Sequence, residues 1–153
     1  AARFLVIGRG NMEGQLRRDI EELGLTGRAW LTPYCRDMPR AMNALDCLVH
    51  PQVATDAFPT VILEAMACGK PVIATACDGA PEQCEHGVHG LLVPMEDPPA
   101  LGEAMRRMAT EPGLRQRLAE PCRSHVIQNF TLELLARGVL KVYEELARAR
   151  GRC

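Results

Sequence analysis

Asp56-Ala57-Phe58-Pro59-Thr60-Val61-Ile62-Leu63-Glu64-Ala65-Met66-Ala67-Cys68-Gly69-Lys70-Pro71-Val72-Ile73-Ala74-Thr75 sets two carboxylates around a predicted helix start and follows that helix with a predicted strand. Pro59 has its φ preset for a first helical position, where its missing N–H would be an orphan in any case, so the spacing predicts a helix from about Thr60. Gly69 followed by Pro71 ends it, and Pro71 to Thr75 is the short apolar run of a strand covered on both faces. The N–H groups of Thr60, Val61 and Ile62 are then expected to be free at the helix start, where the backbone dipole favours an anion such as a phosphate. Asp56 precedes that turn and Glu64 lies about one turn inside the helix. A phosphate flanked by sugars is the ligand shape that uses both carboxylates. Taken alone, the same acids also read as a helix cap, at Asp56 or Thr55, and a solvated helix residue at Glu64.

Outward from this stretch, short apolar runs alternate with helical spacing. Phe4 to Ile7 reads as a strand ending in Gly8-Arg9-Gly10, and Leu16, Ile20, Leu23 and Leu25 then recur at near-helical intervals. Ala29 to Leu31 reads as a second strand, Met38 to Leu45 as a short helix, and Cys47 to His50 as a third strand stopping at Pro51. After the opening stretch come a turn of helix near Pro81 to Glu85, a last strand at Gly90 to Val93, and helices from about Ala100 to Ala109 and Gly113 to Val126. Phe130-Thr131 starts a terminal helix. Strands separated by helices of this length imply βαβ units and a parallel sheet with helices on both faces. Ligands in such sheets bind beyond the carboxyl ends of the strands. The loops at Gly8 to Gly10, Pro33, Pro51 to Pro59 and Cys77 to Glu82 all follow strands, so they are expected on one edge.

The same residues carry a family resemblance. An acid, seven residues, then Glu64-Ala-Met-Ala-x-Gly-x-Pro-Val-Ile-Ala-Thr75 resembles the nucleotide-sugar signature of the retaining family 4 glycosyltransferases. His50-Pro51-Gln52 resembles that family's Pro-Ser turn, and Asp78-Gly79-Ala80-Pro81-Glu82 resembles its Gly-Gly-x-x-Glu loop. His86-Gly-Val-His-Gly-Leu-Leu-Val-Pro94 is similar to its Asp-Gly-x-Thr-Gly-Leu-Leu-Val segment. The likeness runs from Phe4 to Tyr143-Glu-Glu-Leu146.

This resemblance implies an enzyme of two Rossmann-like domains (the GT-B fold), in which this chain is the donor-binding half, residues 1–130. A C-terminal helix, 131–153, would cross back to an acceptor domain outside the chain. Glu64 would bond the ribose hydroxyls of a nucleoside diphosphate sugar. Asp56, at the catalytic position, would hold a hydroxyl of the transferred hexose. Phe58, Pro59 and the amides that follow, at Thr60 and Val61, would line the diphosphate and sugar, with Gly8, Gly10, Pro51 and Glu82 around the donor pocket. Transfer would retain anomeric configuration. The chain has no Asp-x-Asp sequence, which agrees with a mechanism that uses no metal and no cofactor, the nucleotide sugar being substrate. Helix N–H groups and basic side chains would then carry the charge of the leaving diphosphate.

The chain also departs from the family. The first strand and helix of the donor half, which bring an arginine and a lysine to the diphosphate, should precede Phe4. Asp56 stands where the family usually has Glu, and Pro59 where it usually has Gly.

At 153 residues, 47% hydrophobic and 24% charged, the chain can bury a core of its own as one domain. Its net charge of −1 and 4% aromatic residues argue against a nucleic-acid partner. No apolar run reaches the roughly 20 residues that span a bilayer, and no signal peptide is visible. The seven cysteines, at 35, 47, 68, 77, 84, 122 and 153, show no zinc spacing. They read as thiols in a reducing compartment, the cytoplasm, with Cys153 the most open to oxidation. Arg148, Arg150 and Arg152 beyond the stripe Leu135, Val139, Leu140, Tyr143 and Leu146 give a modest reason to expect peripheral contact with the inner face of a membrane. The stripe itself is expected to be sticky if unpartnered.

Two other function classes are compatible with these residues. One is a nucleotide-sugar-binding module without transfer activity. The other is an NAD(P)-dependent oxidoreductase, since Gly8-x-Gly10-x-x-x-Gly14 follows a strand. The second strand, however, ends in Trp30-Leu31-Thr32-Pro33, with no acid for a ribose hydroxyl. Among single residues, His50 and Glu82 are placed on the predicted loop edge, where His50 reads either as lining the site or as a satisfied, partly buried histidine. His86, His89 and Lys70 are expected at the surface.

Overall fold

A computed structural model describes residues 2–54 and 56–151. The Thr55 cap and the expectations for Arg152 and Cys153 therefore lie outside the described residues. The chain divides into two units, Ala1–Ala41 and Met42–Cys153.

In the first unit, β1 (Phe4–Ile7) pairs in parallel with β2 (Ala29–Thr32), Phe4 opposite Ala29 and Ile7 opposite Thr32. The crossover helix α1 (Glu13–Glu22) ends earlier than the apolar spacing suggests. Leu25 N–H bonds Ile20 O at 2.8 Å and Gly24 N–H bonds Glu21 O at 3.0 Å, a Schellman closure that leaves Leu23 and Leu25 beyond the helix. No α1 residue is buried. The short helix α2 (Met38–Ala44) carries the division between the units.

The second unit holds a three-stranded parallel sheet in the order β3 (Leu48–His50), β4 (Val72–Thr75), β5 (Gly90–Val93). The expectation of parallel strands flanked by helices holds, with the hydrogen-bonded strands in two sheets. Val72, Ile73, Ala74 and Thr75 are all buried, because β4 has a strand on each side and helices on each face. Ile73, Leu91 and Val93 pack with Ala104 and Met108 of α5 (Pro98–Thr110) and Leu114 and Leu118 of α6 (Pro112–Ala119). Removing a large side chain from such a core costs about 2–5 kcal/mol.

The helix predicted over Gly113 to Val126 is two helices, α6 and α7 (Cys122–Asn129). Pro121 between them cannot donate to a carbonyl one turn back, so the α6 ladder stops there and α7 restarts with His125 N–H on Pro121 O at 3.0 Å. The terminal helix α8 (Leu132–Ala149) begins where expected, capped by Thr131 Oγ1 accepting from Leu134 N–H. Its stripe is exposed from Leu132 to Leu146 and no α8 residue is buried. Among the described residues, no helix is long and apolar enough to cross a membrane.

Candidate functional site

The opening stretch folds as its residues suggest. α3 (Thr60–Ala67) buries Ile62, Ala65 and Met66 completely, which fixes the helix axis against β3, β4 and α7. Gly69 at φ +69° closes it, with Gly69 N–H on Met66 O at 2.9 Å and Lys70 N–H on Ala65 O at 3.0 Å. The helix start differs in detail from expectation. Pro59 is the N-cap, at φ −65° and ψ 100°, and not the first helical residue. Its carbonyl accepts the Ile62 N–H at 3.1 Å, so Ile62 is not a free donor. Thr60 and Val61 N–H take no protein acceptor among the described residues and remain the orphan donors of this helix start.

Glu64 is exposed one turn in, and its Oε1 accepts from Thr60 Oγ1 at 3.2 Å. That bond draws the carboxylate back toward the orphan amides. Asp56 is also exposed, and its Oδ1 accepts the Phe58 N–H at 3.2 Å, an Asx turn that leads the chain into Pro59.

The loop after β4 is fastened to this one. Thr75 Oγ1 donates to Gln52 O at 2.9 Å, and Asp78 Oδ2 accepts the Asp56 N–H at 3.2 Å. A Cβ on Gly79 would lie 2.1 Å from Ala57 O, so only glycine permits this approach. Pro51 and Glu82 are exposed in the same two loops, Glu82 within the short turn of helix α4 (Ala80–Gln83). Asp56, Phe58, Pro59, Thr60, Val61, Glu64, Pro51 and Glu82 thus belong to the second unit, whereas Gly8 and Gly10 follow β1 in the first.

The remaining histidine and lysine readings fare differently, His50 taking the second of its two readings. His50 Nε2 meets Gln52 Oε1 at 2.8 Å, a partly buried and satisfied ring. Lys70 Nζ is not simply solvated, since it donates to Asn43 O at 3.0 Å. His86 is exposed as expected, with Nδ1 accepting from Leu92 N–H at 3.0 Å. His89 is not a surface residue. It is 5% exposed and stacks on His125 with ring centroids 4.0 Å apart. His89 Nδ1 accepts the Glu85 N–H at 3.3 Å, and burial, with His125 beside it, holds its pKa below the ordinary histidine value.

Sequence reasoning missed the aromatic row to which this pair belongs. His125 packs edge-on to Phe130 at 5.4 Å, and Phe130 lies 5.9 Å from Phe58 in the loop before α3. Phe58, although 43% exposed, therefore has a fixed neighbour. The chain signal was faint: four aromatic or imidazole residues, Phe58, His89, His125 and Phe130, lie far apart in the sequence.

The described cysteines are free thiols, and burial pushes Cys47, Cys84 and Cys122 up to about 12. Those three stay protonated at neutral pH and are core residues, not nucleophiles.

The arrangement can hold an anion at the α3 start with hydroxyl-bonding carboxylates before and after it. Comparison with known proteins gives the family of the chain. The family model described as "Glycosyl transferases group 1" matches residues 1–111. A D-inositol 3-phosphate glycosyltransferase of Salinispora arenicola is 36% identical over 115 residues, covering 75% of this chain and 25% of that protein. Anabaena Alr3699/HepE, solved in complex with UDP, superposes with a TM-score of 0.87 at 26% identity over 94% of this chain and 41% of that one. Its UDP-glucose complex gives 0.84 at 27% identity over 92% and 40%. The chain spans less than half the length of each of these proteins.

Proposed function

The chain belongs to the group 1 glycosyl transferases, and from that premise we propose that it is the donor-binding part of an enzyme that transfers a hexose from a nucleoside diphosphate sugar to an acceptor. The observation that carries this reading is the α3 start, where two orphan amides lie with Asp56 before them and Glu64 one turn behind. Bound UDP and UDP-glucose in the HepE structures support a ligand of this class.

In this reading the Thr60 and Val61 N–H groups take the diphosphate. Their dipole stabilises its charge as the glycosidic bond breaks, with no metal ion or cofactor. Glu64, drawn toward the same end by Thr60, accepts from the ribose hydroxyls. Asp56 offers its Oδ2 to a hydroxyl of the hexose, which fixes the sugar relative to the leaving group while configuration is retained. Phe58, Pro59, Pro51 and Glu82 line the sugar side. Residues 1–130 then form the donor domain, and the exposed stripe of α8 within 131–153 packs on the acceptor domain. The free thiols support a reducing, cytoplasmic setting, and Arg148 and Arg150 support peripheral contact with an anionic membrane face.

The test is transfer activity of the full-length natural protein. Glu64→Ala is expected to lower kcat/KM by about 10–100-fold, since a hydrogen bond to a charged group is lost. An unchanged rate would remove Glu64 from the site. Binding without turnover in the full-length protein would favour a nucleotide-sugar-binding module.

A further inference from the structure

We infer that Asp78 is the positioning residue for Asp56. Its carboxylate fixes the main chain at Asp56 and so sets the acid that meets the transferred sugar. The inference rests on the donor reading above and names a residue that reading does not use.

Asp78 is one of two non-glycine residues with positive φ among the described residues, at φ +47°. A side chain in that region is under steric cost, which Asp bears better than most because its short polar group bonds locally. Here the bond is not local. Asp78 Oδ2 reaches 22 residues back to the Asp56 N–H. The next residue, Gly79, lets the same turn press against Ala57, where a Cβ would meet the carbonyl oxygen at 2.1 Å. One residue earlier than Asp78 along the loop, Cys77 N–H turns back onto Thr75 O at 2.9 Å, and Thr75 Oγ1 holds Gln52. The loop before α3 is therefore gripped at Gln52, Asp56 and Ala57 by one strand end.

Of these grips, that of Asp78 acts at Asp56 itself. Asp56 Oδ1 is committed to Phe58 N–H, so the direction of the remaining oxygen follows from the Asp56 backbone. Freeing its N–H lets the φ of Asp56 drift, and the Asx turn drifts with it. The diphosphate end of the ligand does not feel this, because the Thr60 and Val61 amides are fixed by the buried face of α3. Loss of Asp78 should thus weaken binding of the sugar and spare the diphosphate.

The experiment titrates the chain with UDP-glucose, GDP-mannose and ADP-glucose, and with UDP, GDP and ADP, by isothermal calorimetry. It uses the wild type, Asp78→Ala, Asp78→Gly and Asp78→Asn. Asp78→Ala and Asp78→Gly are expected to bind the preferred nucleotide sugar about tenfold more weakly, with the free diphosphate unchanged. Asp78→Asn, which keeps an acceptor oxygen and tolerates the left-handed backbone, is expected within about threefold of wild type. Should Asp78→Ala fail to fold, the Gly and Asn variants decide the matter, since glycine relieves the strain and removes only the acceptor. Wild-type affinity in Asp78→Gly would overturn the inference, and so would equal weakening of sugar and diphosphate. Wild-type binding of no nucleotide sugar would overturn the donor reading itself, and this inference with it.

Discussion

Two four-residue apolar strands, Phe4–Ile7 and Val72–Thr75, meet different fates. β4 is buried at every position, while in β1 Leu5 is 41% and Val6 45% exposed. Composition does not separate them, since β1 is the more hydrophobic. What separates them is the number of neighbours, for β4 lies between β3 and β5 with helices on both faces, and β1 has β2 alone as its hydrogen-bonded partner among the described residues. An apolar run states that a segment seeks cover. It does not state that cover is at hand. The helices repeat the lesson, α3 burying its apolar face completely and the longer, more amphipathic α8 burying none.

The sharpest way to break this comparison is a pair of truncations. Ile73→Ala is expected to cost about 2–5 kcal/mol in urea unfolding, while Leu5→Ala costs less than about 1 kcal/mol, because much of Leu5 already meets water. Equal losses would mean that burial does not rank these strands. Gly79→Ala probes the loop that β4 positions. Its Cβ forces apart two backbones in contact, with an expected loss of about 1–3 kcal/mol and weaker nucleotide-sugar binding.

A pH titration sharpens the comparison from within the buried side. The His89 pKa is lowered from 6.5 by burial first and by His125 second, so the unfolded chain takes up a proton at higher pH than the folded one. Its contribution is fully present above about pH 6.5 and is lost as pH falls through the lower folded value. Thermal unfolding should therefore occur at lower temperature at pH 5.5 than at pH 7.5, and His89→Asn should flatten that slope. A slope unchanged by the substitution would place the pH sensitivity elsewhere. The smallest effect belongs to α8, where Leu140→Glu should change the stability of this chain by no more than about 0.5 kcal/mol. A large loss would show that the stripe is covered.

The elements that sequence reading placed best are those with local punctuation. Phe4–Ile7 and Gly90–Val93 are bounded by changes from apolar to glycine or polar residues, and Gly69 with Pro71 marks the end of α3. Pro121 is the same kind of signal, and the helix expected over Gly113 to Val126 runs through it where the structure has two. What remained illegible depends on distance. His89 is buried by a residue 36 positions later, and Asp78 meets Asp56 across 22. The one hint was an aspartate where the resembling loop has glycine, a position at which a side chain pays a steric cost. Of the candidate site, the α3 start and both carboxylates were readable because helix chemistry is local. The grip of the β4 loop was not, since parallel strands bring together loops that the chain keeps apart.

Ligand-observed NMR on this chain and its Glu64→Ala variant, against UDP-, GDP- and ADP-sugars with NADPH as control, tests the central claim most directly. The account predicts that one nucleotide sugar binds the wild type, that the signal falls about tenfold or more in the variant, and that NADPH stays silent. Nucleotide-sugar binding that is equal in both chains, or binding of NADPH alone, would contradict it.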